Sequence, residues 1–271
     1  MTYTVDDLLT LMARLREPVY GCPWDLKQHY GSIAPSTIEE AYEVVDAIER
    51  ASMHDLREEL GDLLFQVVFY ARLGDEDGHF DFADIVDTLV TKLIRRHPHV
   101  FPDGTLESRR KPDATPVNNS TDSMSEEAIK AAWEKTKQKE REGKGHRSVL
   151  DDIPITLPAV NRAVKLQKRA SNVGFDWPAI DGVYAKLNEE TQELKEAQQS
   201  GDASAIEDEL GDLLFTVINL ARHLNVDPEA ALRRTNSKFK QRFQFVEQQI
   251  DGQWPQQSTE ELDELWQQSK Q

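Results

Sequence analysis

From Ala205 to His223 the apolar residues Ile206, Leu210, Leu213, Leu214, Val217, Ile218 and Ala221 recur at helical spacing. The strict alternation of a half-buried strand is missing throughout the chain. The pattern therefore predicts helices. Turn-forming stretches at Gly74 to Gly78 and Asn225 to Pro228 end two such helices, and Asp227 followed by Pro228 suits the N-cap and first position of the next. Each half of the chain reads as helix, turn, helix, turn, helix, which makes the expected class all-α.

The two halves are also alike in sequence. Glu59 to Phe65 reads ELGDLLF, and Glu209 to Phe215 repeats it 150 positions later. Glu39, Glu40 and Glu43 recur at the same offset as Glu189, Glu190 and Glu193, and Ala71-Arg72 recurs as Ala221-Arg222. After a small gap Lys92 and Arg96 match Lys238 and Arg242. A repeat of this length is a duplicated domain rather than a solenoid unit. Pro102 to Ser125 is rich in Pro, Ser, Thr, Asp and Asn, and Glu140 to Gly145 is charged and Gly-containing, so both read as linker around one helix, Glu126 to Lys139. The expected division is a first helical domain over 1–104, a linker with one helix over 105–150, and a second helical domain over 151–271.

Length and composition agree with two helical domains. At 271 residues the chain can close two cores, and 38% hydrophobic with 30% charged residues is the balance of a folded rather than a disordered protein. A formal charge of -17 argues against nucleic acid or an anionic membrane as partner, because the field of the whole molecule repels both. An anionic ligand needs a cation as escort. The single cysteine, Cys22, cannot build an internal disulfide framework, the start lacks the features of a secretion signal, and no apolar run approaches the ~20 residues of a membrane helix. The expected location is the cytoplasm.

The chemistry lies in the repeated acids. At about 100° per residue, Glu190 and Glu193 fall on one flank of the stripe formed by Val183, Leu187 and Leu194, and Glu209 and Asp212 hold the same relation to Ile206, Leu210 and Leu213. Antiparallel packing through these stripes lets the two pairs face each other. Four acids in one partly buried place repel strongly, and protonation or a bound cation must relieve that. Oxygen ligands without His or Cys select hard cations, so Mg²⁺ is the first choice and Mn²⁺ fits the same set. A single ExxE or ExxD pair is usually a solvated helix face; two pairs beside apolar stripes, each set followed by a Lys and an Arg four apart, point to a site. Lys238 and Arg242 share a helix face and suit successive phosphates. Acid-bound metal beside two fixed cations is what phosphoryl chemistry requires, and no Gly-rich phosphate loop is present. A di-iron carboxylate bundle is disfavoured, since it needs Glu-x-x-His and the residues three beyond Glu190 and Glu209 are Glu193 and Asp212. A binding module without turnover stays open. His97 and His99 flank Pro98, which breaks a helix between them, and read as surface or packing residues; Trp24 and Trp177 read as core anchors.

These residues resemble the MazG-type nucleoside triphosphate pyrophosphohydrolases of the all-α NTP pyrophosphatase superfamily. The resemblance rests on GCPWDLKQ (Gly21 to Gln28) and EExxE before ELGD in the first copy. In the second copy it rests on KLQKRASNVGFDW (Lys165 to Trp177), EETQE, EDELGD, NSKFKQRF and the final ELWQQSK. It implies Mg²⁺ on Glu190, Glu193, Glu209 and Asp212, with phosphate contacts from Lys238 and Arg242. Nucleotide contacts are implied from Lys186, Glu190, Asp208 and Trp266 and, less directly, from Lys168 and Arg169. The matching first-copy set is Glu40, Glu43, Glu59 and Asp62 with Lys92 and Arg96. Hydrolysis of ribo- and deoxyribonucleoside triphosphates at the α-phosphorus, in nucleotide-pool housecleaning or control of nucleotide signals, is the implied activity. A homodimer that completes each bundle is the implied assembly, and a regulatory protein partner is compatible with a spare copy. The first copy departs from the family after Gln28, where Thr-His-x-Ser-Leu is replaced by His29-Tyr30-Gly31-Ser32-Ile33.

Overall fold

A computed structural model of the chain describes residues 2–109, 148–251 and 257–270 together with 132–134, 136, 137, 140 and 254. The linker helix expected over Glu126 to Lys139 falls mostly outside the described residues. Among those described, the regular secondary structure is helical and no strand occurs. The chain divides into two compact units, Met1–Thr136 and Lys137–Gln271.

In the first unit, α1 spans Val5–Leu15, α2 Tyr30–Glu49, α3 Met53–Glu76 and α4 Phe82–Arg96. Thr4 starts α1 with a reciprocal capping box to Asp7, and Ser52 caps α3 by accepting from the Asp55 amide. Because only Arg50, Ala51 and Ser52 separate α2 from α3, the two form an antiparallel hairpin, which is the most extensive packing in the unit. Helix α1 lies against α3. Met12, Ile33, Val68, Phe69 and Leu73 make the core, flanked by Phe65, Tyr70 and Phe82. Such burial of aromatic and aliphatic side chains supplies the main stabilising term.

The second unit repeats the plan with α5 over Ala159–Ser171, α6 over Ile180–Ser200, α7 over Ala203–His223 and α8 over Pro228–Gln249, followed by α9 over Thr259–Gln268. Helices α6 and α7 form the hairpin and α5 packs on α7. The hairpin turn needs one left-handed residue, supplied by Gly201 at φ 73° here and by Ala51 at φ 55° at the same offset in the first unit. Asp202 then caps α7 by accepting from the amides of Ser204 and Ala205. Helix α9 docks on α8 with Trp266 against Phe239 at 5.3 Å, and Trp254, which precedes α9, stacks on Phe243 at 4.8 Å.

The stripe on α7 is not wholly interior. Leu210, Leu214 and Val217 stand 45%, 57% and 45% exposed, and their counterparts Leu60, Leu64 and Val67 on α3 are exposed as well. The helix is apolar over more of its girdle than its own unit covers. The same three positions are left open in both copies.

Candidate functional site

The hairpin geometry brings the acids of the second unit together. One carboxylate oxygen each from Glu190, Glu193 and Glu209 lies within 4.8 Å of the others. Glu190 is only 3% exposed, and it receives the Lys186 ammonium at 2.7 Å, while Glu189 receives the same ammonium at 2.8 Å. These hydrogen bonds, that to Glu189 first, hold Lys186 well above the ordinary lysine pKa. Burial and then the charge of Glu209 push Glu193 up, with Lys186 partly opposing. Asp212 is exposed on α7 and lies outside the group of three.

In the first unit the trio is Glu40, Glu59 and Asp62, with Glu43 exposed beside it. Glu40 is pushed up by burial and then by Asp62, Glu43 and Glu59, and Glu59 by burial and then by Glu43 and Asp62. Carboxylates raised in this way by burial and by one another carry a repulsion that a bound hard cation would relieve. All the donors are oxygens, which suits Mg²⁺ or Mn²⁺ and not a soft metal. Each unit thus gathers three of its four expected ligands, but not the same three. A further acidic group, His54, Asp55 and Glu58, is accounted for by the start of α3, where Asp55 pairs with Arg50 at 2.7 Å.

The other expected residues are more scattered. Lys238 is exposed and Arg242 half-buried on α8, and no ion pair joins either to the acids among the described residues. Lys92 and Arg96 lie half-buried on α4. Asp208 is exposed on α7 and Lys168 on α5. Arg169 donates to the Val149 and Asp151 carbonyls, which ties the chain before α5 to that helix. His97 bonds the Leu93 carbonyl at 2.6 Å and packs on His99, so the pair closes the end of α4. The reading of the two tryptophans as core anchors is corrected: Trp24 is 63% exposed, and Trp177 is 38% exposed on the wall of a cavity.

That cavity, of about 540 Å³, escaped the sequence reading altogether. Leu150, Leu166, Phe175, Trp177, Phe215 and Asn219 line it together with the charged pair Asp176 and Arg222. Arg222 donates to Asp176 at 2.5 Å and to the Asn219 side-chain carbonyl at 2.8 Å, and His223 meets Asp176 at 3.1 Å. Burial pushes the Asp176 carboxyl up, but the bonds from Arg222 and His223 outweigh it and hold the group below the ordinary carboxylate value. On α7 the cavity-lining residues Phe215 and Asn219 stand six and ten residues beyond Glu209, about 9 and 15 Å along the axis, so the cavity begins about 9 Å from the acids. By the offset of 150, Phe69 is the first unit's counterpart of Asn219. Phe69 is 1% exposed and packed beneath the Arg16 guanidinium at 5.3 Å, and Arg16 in turn pairs with Glu76 at 2.7 Å. Core fills that place in the first unit; a cavity opens beside it in the second.

The profile of the MazG nucleotide pyrophosphohydrolase domain matches residues 28–101 and 181–246, one segment in each unit. A nucleoside triphosphate pyrophosphohydrolase of Escherichia coli K12 is 47% identical over 98% of this chain and 97% of its own. One from Thermotoga maritima, described as nucleoside triphosphate pyrophosphohydrolase/pyrophosphatase MazG, is 42% identical over 98% and 95%. The nucleoside triphosphate pyrophosphohydrolase of Mycolicibacterium smegmatis is 34% identical over 62% of this chain and 46% of its own.

Proposed function

The chain belongs to the MazG family of nucleotide pyrophosphohydrolases, and from that premise we propose that its second unit cleaves nucleoside triphosphates to monophosphate and pyrophosphate. The observation that carries the reading is the convergence of Glu190, Glu193 and Glu209 about 9 Å along α7 from a cavity of nucleoside size. Those three acids, with Asp212 beside them, would hold Mg²⁺, or Mn²⁺ in its place. The ion, once bound, would offset the triphosphate charge and make water more acidic. An acid of the group takes the proton of the water attacking the α-phosphorus, and the pyrophosphate leaves with its charge offset by Lys238 and Arg242. Base and sugar enter the cavity, flanked by Phe175 and Trp177. Lys186, Asp208, Lys168 and Trp266 are the further contacts proposed for the nucleotide.

A mostly apolar slot grips the flat face of a base rather than reading its edge. This supports breadth among ribo- and deoxyribonucleotides and a housecleaning role. The test is pyrophosphate release from a panel of triphosphates with Mg²⁺, with Mn²⁺ and with a chelator. Metal-dependent release from several members is the expected result; nucleotide bound without release would leave a binding module. For the first unit a binding or regulatory role is the better reading, because Phe69 and Arg16 occupy the place where the second unit is open.

The unit also has a face to cover. Leu210, Leu214 and Val217, with Leu60, Leu64 and Val67 in the other copy, support a homodimer in which a second chain completes each bundle. Light scattering is expected to give twice the chain mass of 30.9 kDa. A monomer at micromolar concentration would remove the dimer from the proposal.

A further inference from the structure

We propose that Lys186 is the resident counter-cation of the second acidic cluster, displaced from Glu190 when metal and triphosphate bind together. Each of these ligands then raises the affinity of the other through this one side chain. The inference rests on the metal and triphosphate reading above and adds a thermodynamic coupling to it. Glu190 is buried, and a buried carboxylate left without a cation is costly. One helical turn before it, Lys186 supplies that cation at 2.7 Å from Glu190 Oε1. A dication drawn to the same three acids must compete with the ammonium. The Lys186 side chain is 32% exposed, and its flexible stem allows the ammonium to leave for a new anionic partner. A triphosphate beside the metal is such a partner, so the nucleotide removes the competitor and the metal frees the lysine. By linkage the two effects are equal.

The first copy supplies the contrast. At the offset of 150, position 36 is Ser, and the charges acting on Glu40 are all acidic. The coupling is therefore built into one copy and absent from the other.

The test measures Mn²⁺ binding by electron paramagnetic resonance, with Mn²⁺ alone and with a triphosphate analogue carrying a methylene between the α- and β-phosphorus. In a Glu59→Gln background that disables the first cluster, Lys186→Ser is expected to bind Mn²⁺ alone roughly tenfold more tightly. The gain in Mn²⁺ affinity caused by the analogue should shrink by a similar factor. In a Glu209→Gln background, Ser36→Lys is expected to weaken Mn²⁺ binding at the first cluster to a comparable extent. Lys195→Ser, which removes one positive charge from an exposed site on the same helix, is the control. Unchanged or weaker Mn²⁺ binding by Lys186→Ser, or a gain matched by Lys195→Ser, overturns the inference while leaving the metal reading intact. Failure of every variant and of the intact chain to bind Mn²⁺ overturns the metal reading and the inference with it. Circular dichroism of each variant confirms that the helices persist.

Discussion

Glu209→Gln is expected to lower metal-dependent pyrophosphate release on the order of a thousandfold, the scale on which a single preorganised charge-stabilising group acts. The substitution keeps the shape of the side chain and removes one of three oxygens that meet within 4.8 Å. It also removes a repulsion. Glu193 is pushed up by burial and then by Glu209, so in the folded state its ionised form is penalised. For a carboxyl whose folded pKa is raised, that penalty is full above the folded value and fades as pH falls through it toward the unfolded value. The variant should therefore be as stable as the parent or more so at neutral pH, with the advantage vanishing in acid. Loss of activity without loss of stability separates a functional acid from a structural one. The paired variant Glu59→Gln, at the same place in the first unit, is expected to leave most of the release intact. An active Glu209→Gln protein would sink the assignment, and loss in Glu59→Gln alone would move the chemistry to the first unit.

The sequence made the helices and the acids legible for one reason: the duplication shows each element twice. ELGDLLF at 59 and again at 209 marks equivalent helices, and the glutamates at 40 and 43 mark the partner helix by the same offset. Helical periodicity then places the acids on the flank of an apolar stripe, and a hairpin turn of two or three residues forces that flank to face its partner. Finer detail depends on rotamers and burial that no spacing encodes. Asp212 and Glu43, for instance, stay outside the close trios although their spacing equals that of their counterparts. The basic pair on α8 illustrates another limit, since periodicity shows that Lys238 and Arg242 share a face but not which neighbour that face meets.

The cavity was hidden because its signal is a difference between the copies rather than a likeness. A repeat draws the eye to what recurs, and Asn219 against Phe69 is a failure to recur on a buried stripe. Both residues are buried, at 6% and 1%, so the polar one sits where its own copy leaves space. The tryptophans misled for a related reason. Aromatic residues usually anchor cores, but Trp177 covers the rim of an open slot and Trp24 has nothing large to cover it. The exposed leucines of α7 are the opposite case, in which an apolar pattern reads as core although the unit leaves those positions uncovered.

That difference between the copies gives the second large effect. Asn219→Phe places the first copy's residue on the wall of the cavity, and it is expected to lower kcat/KM about ten- to a hundredfold, mainly through KM. The benzyl group extends into the space where the nucleoside is proposed to lie. The substitution also removes the 2.8 Å bond from Arg222 to the Asn219 carbonyl, but Arg222 keeps its 2.5 Å bond to Asp176, so its charge stays paired. Glu209, the acid of the trio on α7, lies ten residues and nearly three turns away, about 15 Å along the axis, and Mn²⁺ binding without nucleotide should be unchanged. Asn219→Ala is the companion variant: it removes the same bond without filling the slot and should cost far less in KM. A large, equal loss in both variants would mean that Asn219 acts through Arg222 and Asp176, and the cavity would lose its claim on the nucleoside. A loss confined to Asn219→Phe, with metal affinity retained, would place the base in the cavity and set this copy apart from the first, where Phe69 fills the corresponding position.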